Sequence, residues 1–291
     1  MQKIASDKVI AVIVTHNRLP LLQKTVAAIY RQTRKPDLII AINNASDDGT
    51  REWLASCSDI MTITQPNVGG AGGFCTGMQT ACAQDAAWIW CMDDDVAPAD
   101  NCLENLLADG RFPIRTPMRN TPDGGLHLGT DTIRFNFSNP FAGLWAETLA
   151  LRHIEHKNIM LEGPTFEGPL IRRDVIETIG LPDKGFFIFA DDSDFFIRAG
   201  RAGFQSELIV SAILRRMLPF SMQKTAEWKR YYEMRNIVTL DRRYGSPAVR
   251  LFRPVFYMIK LLIASESGNE RREIIKGFLH GFQGRLGRLQ Q

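Results

Sequence analysis

The chain has 291 residues, 45% of them apolar, which is material for a substantial core. No run approaches the roughly 18 consecutive apolar residues that a membrane-spanning helix needs. The formal charge of +3 is unevenly spread: from Arg242 onward ten Lys or Arg stand against three acids, a local +7, which leaves −4 for residues 1–241. Five cysteines, Cys57, Cys75, Cys82, Cys91 and Cys102, are odd in number and lack Cys-x-x-Cys spacing, so they read as reduced core fillers rather than a disulfide, zinc or redox framework. The first eight residues carry no apolar core of a secretory signal, and a soluble or peripheral cytoplasmic protein is expected.

Val9 to Val14 is a β-branched run that ends in Thr15-His16-Asn17-Arg18, and Leu19 to Thr33 has helical apolar spacing. Leu38 to Ile42 repeats the pattern, with a polar turn at 43–49 and a helix over Thr50 to Ser56. Ile60 to Thr64 is a third strand, followed by a glycine-dense loop at 67–74 and a helix from about Thr76 to Gln84. Trp88 to Met92 is a fourth strand running into Asp93-Asp94-Asp95. Strands alternating with helices predict an α/β fold with a mostly parallel sheet, whose ligands sit beyond the carboxyl ends of the strands.

Residues 111–160, broken by Pro113, Pro117, Pro122, Gly124 and Gly125, read as irregular with short strands near His127 and Phe135. Short helices follow at Asp174 to Ile179 and from Asp191 to Ala202, then longer ones at Glu227 to Asp241, Val255 to Ala264 and Arg271 to Leu289. His153 and His156 share a helical face without a carboxylate constellation beside them, and read as surface or acceptor-side residues.

Three adjacent aspartates repel one another, a cost that a bound divalent cation removes; otherwise they form a solvated acidic turn. Asp93 and Asp95 suit Mg²⁺ or Mn²⁺, which take oxygen ligands and bridge carboxylates to phosphates. The glycine loop fails the dinucleotide fingerprint, because the third position from Gly70 and Gly72 is Cys75, and no Walker motif occurs. It is either a plain turn or a place where a ligand approaches the backbone. The second acidic cluster, Asp191-Asp192-Ser193-Asp194, opens a helix among phenylalanines, where desolvation raises a carboxyl toward the range of a general base, although capping alone also explains it.

Taken in order, the segments 12–18, 42–50, 67–74, 93–95 and 190–204 resemble the inverting glycosyltransferases of family 2, with the GT-A nucleotide-diphospho-sugar transferase fold. The glycine loop with Asp-Asp-Asp is most similar to galactofuranosyltransferases and rhamnosyltransferases of bacterial surface polysaccharides. The resemblance implies a catalytic domain over 1–245, with a nucleotide-binding half at 8–110 and an acceptor and catalytic half at 111–245, and a basic helical tail at 246–291. It implies a UDP- or dTDP-sugar donor held by Thr15, Asn17, Arg18, Asn44, Asp47, Asn67, Gly70 and Asp94, with Mn²⁺ or Mg²⁺ on Asp93 and Asp95. It also implies Asp192 as the base with Asp191 beside it, and an acceptor side at Trp145, Phe166 and Gly168. The metal-binding His that many relatives carry about twenty residues after the base is absent, and Arg215 or Arg216 is expected to meet the diphosphate instead.

The acceptor expected from the resemblance is a lipid-linked glycan at the inner face of the cytoplasmic membrane. The tail fits either an anionic membrane surface or packing on the domain or on another subunit. A homo-oligomer stays open, and no nucleic-acid partner is expected. A nucleotidyltransferase and a glycan-binding subunit without activity remain as alternatives.

Overall fold

A computed structural model describes residues 8–154, 159–219 and 226–289. Most of the leader region read above, residues 1–7, and His156 lie outside them. The first half runs β1 (Val9–Thr15), α1 (Leu19–Tyr30), β2 (Leu38–Asn44), α2 (Thr50–Ser56), β3 (Ile60–Gln65), α3 (Gly69–Ala83), β4 (Trp88–Asp93), β5 (Val96–Pro98) and α4 (Cys102–Asp109). The middle supplies β6 (Ile114–Asn120), β7 (Thr132–Phe135), β8 (Trp145–Thr148), α5 (Leu151–Ile154), β9 (Ile159–Leu161), β10 (Leu170–Arg172) and α6 (Arg173–Ile179). Then come α7 (Asp191–Arg201), β11 (Ser206–Arg216), α8 (Glu227–Tyr244), α9 (Pro247–Ala264) and α10 (Gly268–Gln283).

Nine strands form one sheet in the order β3-β2-β1-β4-β10-β6-β11-β5, with β9 paired to β11. The neighbours among β1 to β4 are parallel, as are β6 and β11, whereas β10 lies antiparallel between β4 and β6. The continuous apolar run of β1 follows from burial on both faces. Its odd residues Val9, Ala11 and Ile13 pack toward α1 and α4, and its even residues Ile10, Val12 and Val14 toward α3, α6 and α7. This fixes the strand ends, and with them the polar turns, along one edge of the sheet.

Two expectations change. The glycine run is not a loop ahead of a helix near Thr76: α3 begins at Gly69 and contains it. The small residues let this helix lie directly on β1, because a Cβ at Gly73 would overlap Val14 and one at Gly77 would overlap Val12. The described part of the stretch 111–160 is also more regular than its prolines suggest. Strand β6 carries Pro117 past the end of its short ladder with β10, which pairs only Ile114 and Arg115. On the other side its register with β11 shifts between Ile209 and Ile213, opposite Pro117 and Met118.

At the C-terminal end, α9 and α10 pack on α8 around Met234, Val238, Leu261 and Ile274. Fully buried Arg253 of α9 donates to Asp241 of α8 at 2.6 and 2.9 Å and to the Asn136 carbonyl at 2.7 Å. Past α10 the chain returns toward the start of α3, where Leu289 N donates to the Tyr232 hydroxyl and Arg288 to the Asn67 carbonyl. No helix among the described residues is long and apolar enough to cross a membrane.

Candidate active site

The ends of β1, β2 and β4 and the start of α3 meet in a cleft of about 550 Å³. Thr15, Arg18, Asn44, Asn67, Gly70, Asp93 and Asp94 all line it. Asp94 ties the strand ends together, accepting from Thr15 Oγ1 at 2.7 Å and from Arg18 at 3.2 Å. Arg18 also pairs with Asp95 at 2.8 Å. Asn44 is buried and donates to the Gly69 carbonyl, and Asn67 Oδ1 accepts from Gly69 N at the start of α3. The remaining donor-side expectations, Asn17 and Asp47, do not line the cleft; Asn17 Oδ1 accepts from Asp47 N and so joins the two turns. Around Gly70 there is open space, and the positive end of the 15-residue helix α3 faces into the cleft.

The opposite wall was not legible in the sequence. It consists of Phe187, Ile188 and Phe189 with Trp228, Lys229 and Glu233 of α8. Phe187, Phe189 and Ala190 adopt positive φ of 66°, 69° and 63°, a costly conformation for residues with a Cβ. Buried Asn236 holds the segment, its Nδ2 donating to the carbonyls of Phe186, Ile188 and Phe189, while Arg235 donates to Phe186 and Gly185. Asn17 and Ala45, at the ends of β1 and β2, are likewise left-handed. Of the six described non-glycine residues with positive φ, Phe187 and Phe189 line this cleft, and Asn17, Ala45 and Ala190 are each next in the chain to a residue that does.

The strained segment delivers Asp191 and Asp192 as the first two residues of α7. Burial, then the neighbouring Asp192, raises Asp191 to about 8. Burial also raises Asp192, to about 6, against the opposing pull of hydrogen bonds from Ser193. Asp93 is pushed well above the ordinary carboxylate range by burial and by the charges of Asp95, Glu167, Asp94 and Asp191. Asp191 is the smallest of these contributions, after burial and the nearer carboxylates.

Glu167, which sequence reasoning passed over, stands between the two acidic clusters. Burial alone would raise its carboxyl, but Arg119 and Arg216 hold it below the usual range. Arg119 pairs with Asp131 and Glu167, both at 2.7 Å, and Arg216 lies 3.5 Å from Glu167 and donates to His127 Nε2 at 2.8 Å. His127 is pushed down to about 4 by burial and these two guanidinium groups, so the neutral ring accepts.

Three expectations need correction. Arg216, not Arg215, faces the acidic site: it shares a face of β11 with Leu214, which packs on Gly168, whereas Arg215 points the other way and is exposed. Phe166 is 4% exposed, packed against Phe74, Phe195 and Phe196 beneath α7, out of reach of an acceptor. Gly168 has a φ of +95° and is covered by Leu214 and Pro117, so it is a packing residue. Trp145 of the acceptor set reaches the residue that follows Asp192, donating to Ser193 Oγ at 3.3 Å with its ring edge-on to Phe189. His153 lies within 3.1 Å of Glu147 and accepts from Ala150 N, which locks a turn.

No group of three His, Cys, Asp or Glu side chains suited to a metal is found among the described residues. A hard divalent cation nevertheless fits Asp93 and Asp95. Burial first, and then the crowding of carboxylates, raises Asp93; such an ion relieves the crowding, and its remaining positions suit phosphate oxygens and water.

A sheet with β1 to β4 parallel, a carboxylate triplet at the end of β4 and a second acidic pair opening α7 define a glycosyltransferase of the GT-A fold. The family model described as "Glycosyl transferase family 2" matches residues 10–109. The chain is 34% identical over 209 residues to galactofuranosyltransferase GlfT1 of Mycolicibacterium smegmatis, covering 68% of this chain and 67% of that one. It is 24% identical over 232 residues to the N-acetylglucosaminyl-diphospho-decaprenol L-rhamnosyltransferase of Mycobacterium tuberculosis, covering 71% and 75%. Among solved structures, GalNAc-T7 with UDP, GalNAc and Mn²⁺ superposes with a TM-score of 0.66 at 14% identity, over 95% of this chain and 56% of that one. The chain belongs to glycosyltransferase family 2.

Proposed function

We propose that the protein is an inverting galactofuranosyltransferase that moves the sugar from a UDP-linked donor to a hydroxyl of a lipid-linked surface glycan. The observation that supports this chemistry is geometric: the cleft that Asp93 and Asp94 line has residues 187–189 as its opposite wall, and that segment runs through Ala190 into Asp191 and Asp192 at the start of α7. In this reading a divalent cation and a base act on either side of one reacting centre. The sugar follows from the 34% identical galactofuranosyltransferase; the 24% identical rhamnosyltransferase makes a dTDP-rhamnose donor the second reading.

In this reading Thr15, Asn44 and Asn67 bind the nucleotide and its phosphates, and the diphosphate lies toward the α3 N-terminus at Gly70. A divalent ion on Asp93 and Asp95, when bound, neutralises charge on the leaving diphosphate. Asp192 takes the proton of the acceptor hydroxyl as its oxygen bonds to the anomeric carbon from the face opposite the breaking bond to the diphosphate, which inverts the configuration. Trp145 and Phe189 shield the acceptor from water.

The test is the melting temperature of the protein with UDP, dTDP or GDP, each with and without Mn²⁺, followed by transfer from the matching sugar donor. A ligand at 100 times its Kd stabilises by about 2.7 kcal/mol. Metal-dependent stabilisation by UDP and transfer with inversion are expected. Stabilisation by dTDP alone would favour rhamnose, and no shift with any nucleotide would favour a glycan-binding subunit.

A further inference from the structure

The basic C-terminal helices satisfy part of the expectation made for them and leave a remainder. One face of α9 is committed to the protein through Val249, Arg253, Pro254 and Leu261. The other leaves Leu251, Phe252, Val255, Phe256, Ile259 and Ile263 exposed, at 40% for Val255 and up to 80% for Ile263. Side chains of this size on one helix make a contiguous apolar strip rather than scattered surface residues.

Charge identifies what covers it. The whole of α9 contains no acidic residue, and Arg250 and Lys260 are exposed along it. On α10, Arg271, Arg272 and Lys276 line a shallow basin with Ile275 and Leu279, joined by Arg285 just past the helix. Two of the three acids beyond α9 are turned inward, Glu270 pairing with Arg230 at 2.8 Å and Glu273 carrying a buried carboxylate oxygen, while Glu266 between the helices is exposed and outnumbered by the cations. A second copy on the same strip would set cations against cations. An anionic lipid surface instead accepts the apolar side chains beneath its headgroups and meets the cations with phosphate.

We propose that the outer face of α9, with the basic basin of α10, docks the protein on an anionic membrane, with α9 lying in the interface. The position of the acceptor side supports this. Arg253 of α9 also anchors the turn at 136–143, which exposes Phe141 at 72%. Two residues beyond that turn, Trp145 contacts Ser193 beside Asp192. One short segment thus links the docking face to the base, and if the transferase reading above holds, a lipid-borne acceptor is presented to Asp192 from the surface on which α9 rests.

The test is flotation of the full chain, without substrates, on phosphatidylcholine vesicles with and without phosphatidylglycerol, at low and high salt. The bound fraction is expected to be about tenfold higher with phosphatidylglycerol and to fall at high salt. Phe252→Ser/Phe256→Ser/Ile259→Ser should abolish binding, and Arg250→Glu/Lys260→Glu should remove the preference for phosphatidylglycerol. Both should keep the wild-type melting temperature, since neither touches the core. Absence of binding by the wild-type chain, or binding unchanged in the triple variant, would overturn the proposal. So would a dimer in sedimentation that the triple variant converts to monomers, which would give the strip to a second copy. Because no substrate is present, a failure here is separate from a failure of nucleotide-dependent stabilisation or sugar transfer.

Discussion

Asp192 sits at the second position of α7 with its carboxyl raised to about 6, chiefly by burial. Its unfolded value is about 3.9. Between these values the folded chain binds more protons than the unfolded one, so this group's contribution to stability falls as pH rises through the window, and for Asp191 the window extends to about 8. A base needs the same ionisation, so the rate of transfer should rise with pH through about 6 and level off above it. Asp192→Asn removes the ionisation and keeps the shape. Turnover should drop by about 10² to 10⁴-fold while the melting temperature at neutral pH rises. Pairing pH–rate profiles with thermal melts checks both halves: a variant that also melts earlier would mean that the carboxylate serves α7 as a structural cap.

The glycines of α3 separate packing from binding within one element. At Gly77 an added Cβ runs into Val12 on β1, and at Gly70 it meets nothing within 4 Å. Gly77→Ala should therefore cost about 1 to 3 kcal/mol through overpacking, read as a lower melting temperature. Gly70→Ala should cost no stability, because its backbone is already helical, but should raise KM for the donor, since the new methyl group projects where the diphosphate is placed. If Gly70→Ala left donor affinity unchanged, the diphosphate would lie elsewhere. These glycines also show what the sequence could convey. Their density signalled a close approach, but whether to a ligand or to a strand depends on β1, which is distant in the chain, and both answers occur in one helix. Strands β1 to β4 were legible because an apolar run ending in polar residues is a local pattern. Strand β6 was not, because Pro117 reads as a breaker unless the short ladder of β10 is known. The choice between Arg215 and Arg216 turned on the face of β11, whose partners lie up to 120 residues away. Asn236 gave no signal at all, as a polar residue in a helix becomes informative only once the strained carbonyls beneath it are visible.

At the scale of the whole molecule, residues 246–289 are built into the fold rather than appended to it. Arg253 and Asp241 are both fully buried, and the same guanidinium reaches the carbonyls of Asn136 and Ala142 in the turn after β7. Burial raises the Asp241 carboxyl and Arg253 draws it back down, while Asp241 Oδ2 has no partner. Arg253→Leu would strand that carboxyl in a dry site, a loss of about 3 to 5 kcal/mol. Because α8 also carries Asn236 under the strained 187–190 segment, the loss should appear as one cooperative transition at lower temperature, with donor binding lost in the same step. Adding Asp241→Leu removes the buried charge and should recover much of the stability. Recovery should stop short of wild type, because the Asn136 carbonyl still lacks its donor. Calorimetry of the wild-type, single and double variants tests the coupling: a separate early transition in Arg253→Leu that left nucleotide binding intact would instead make α9 and α10 an independent module.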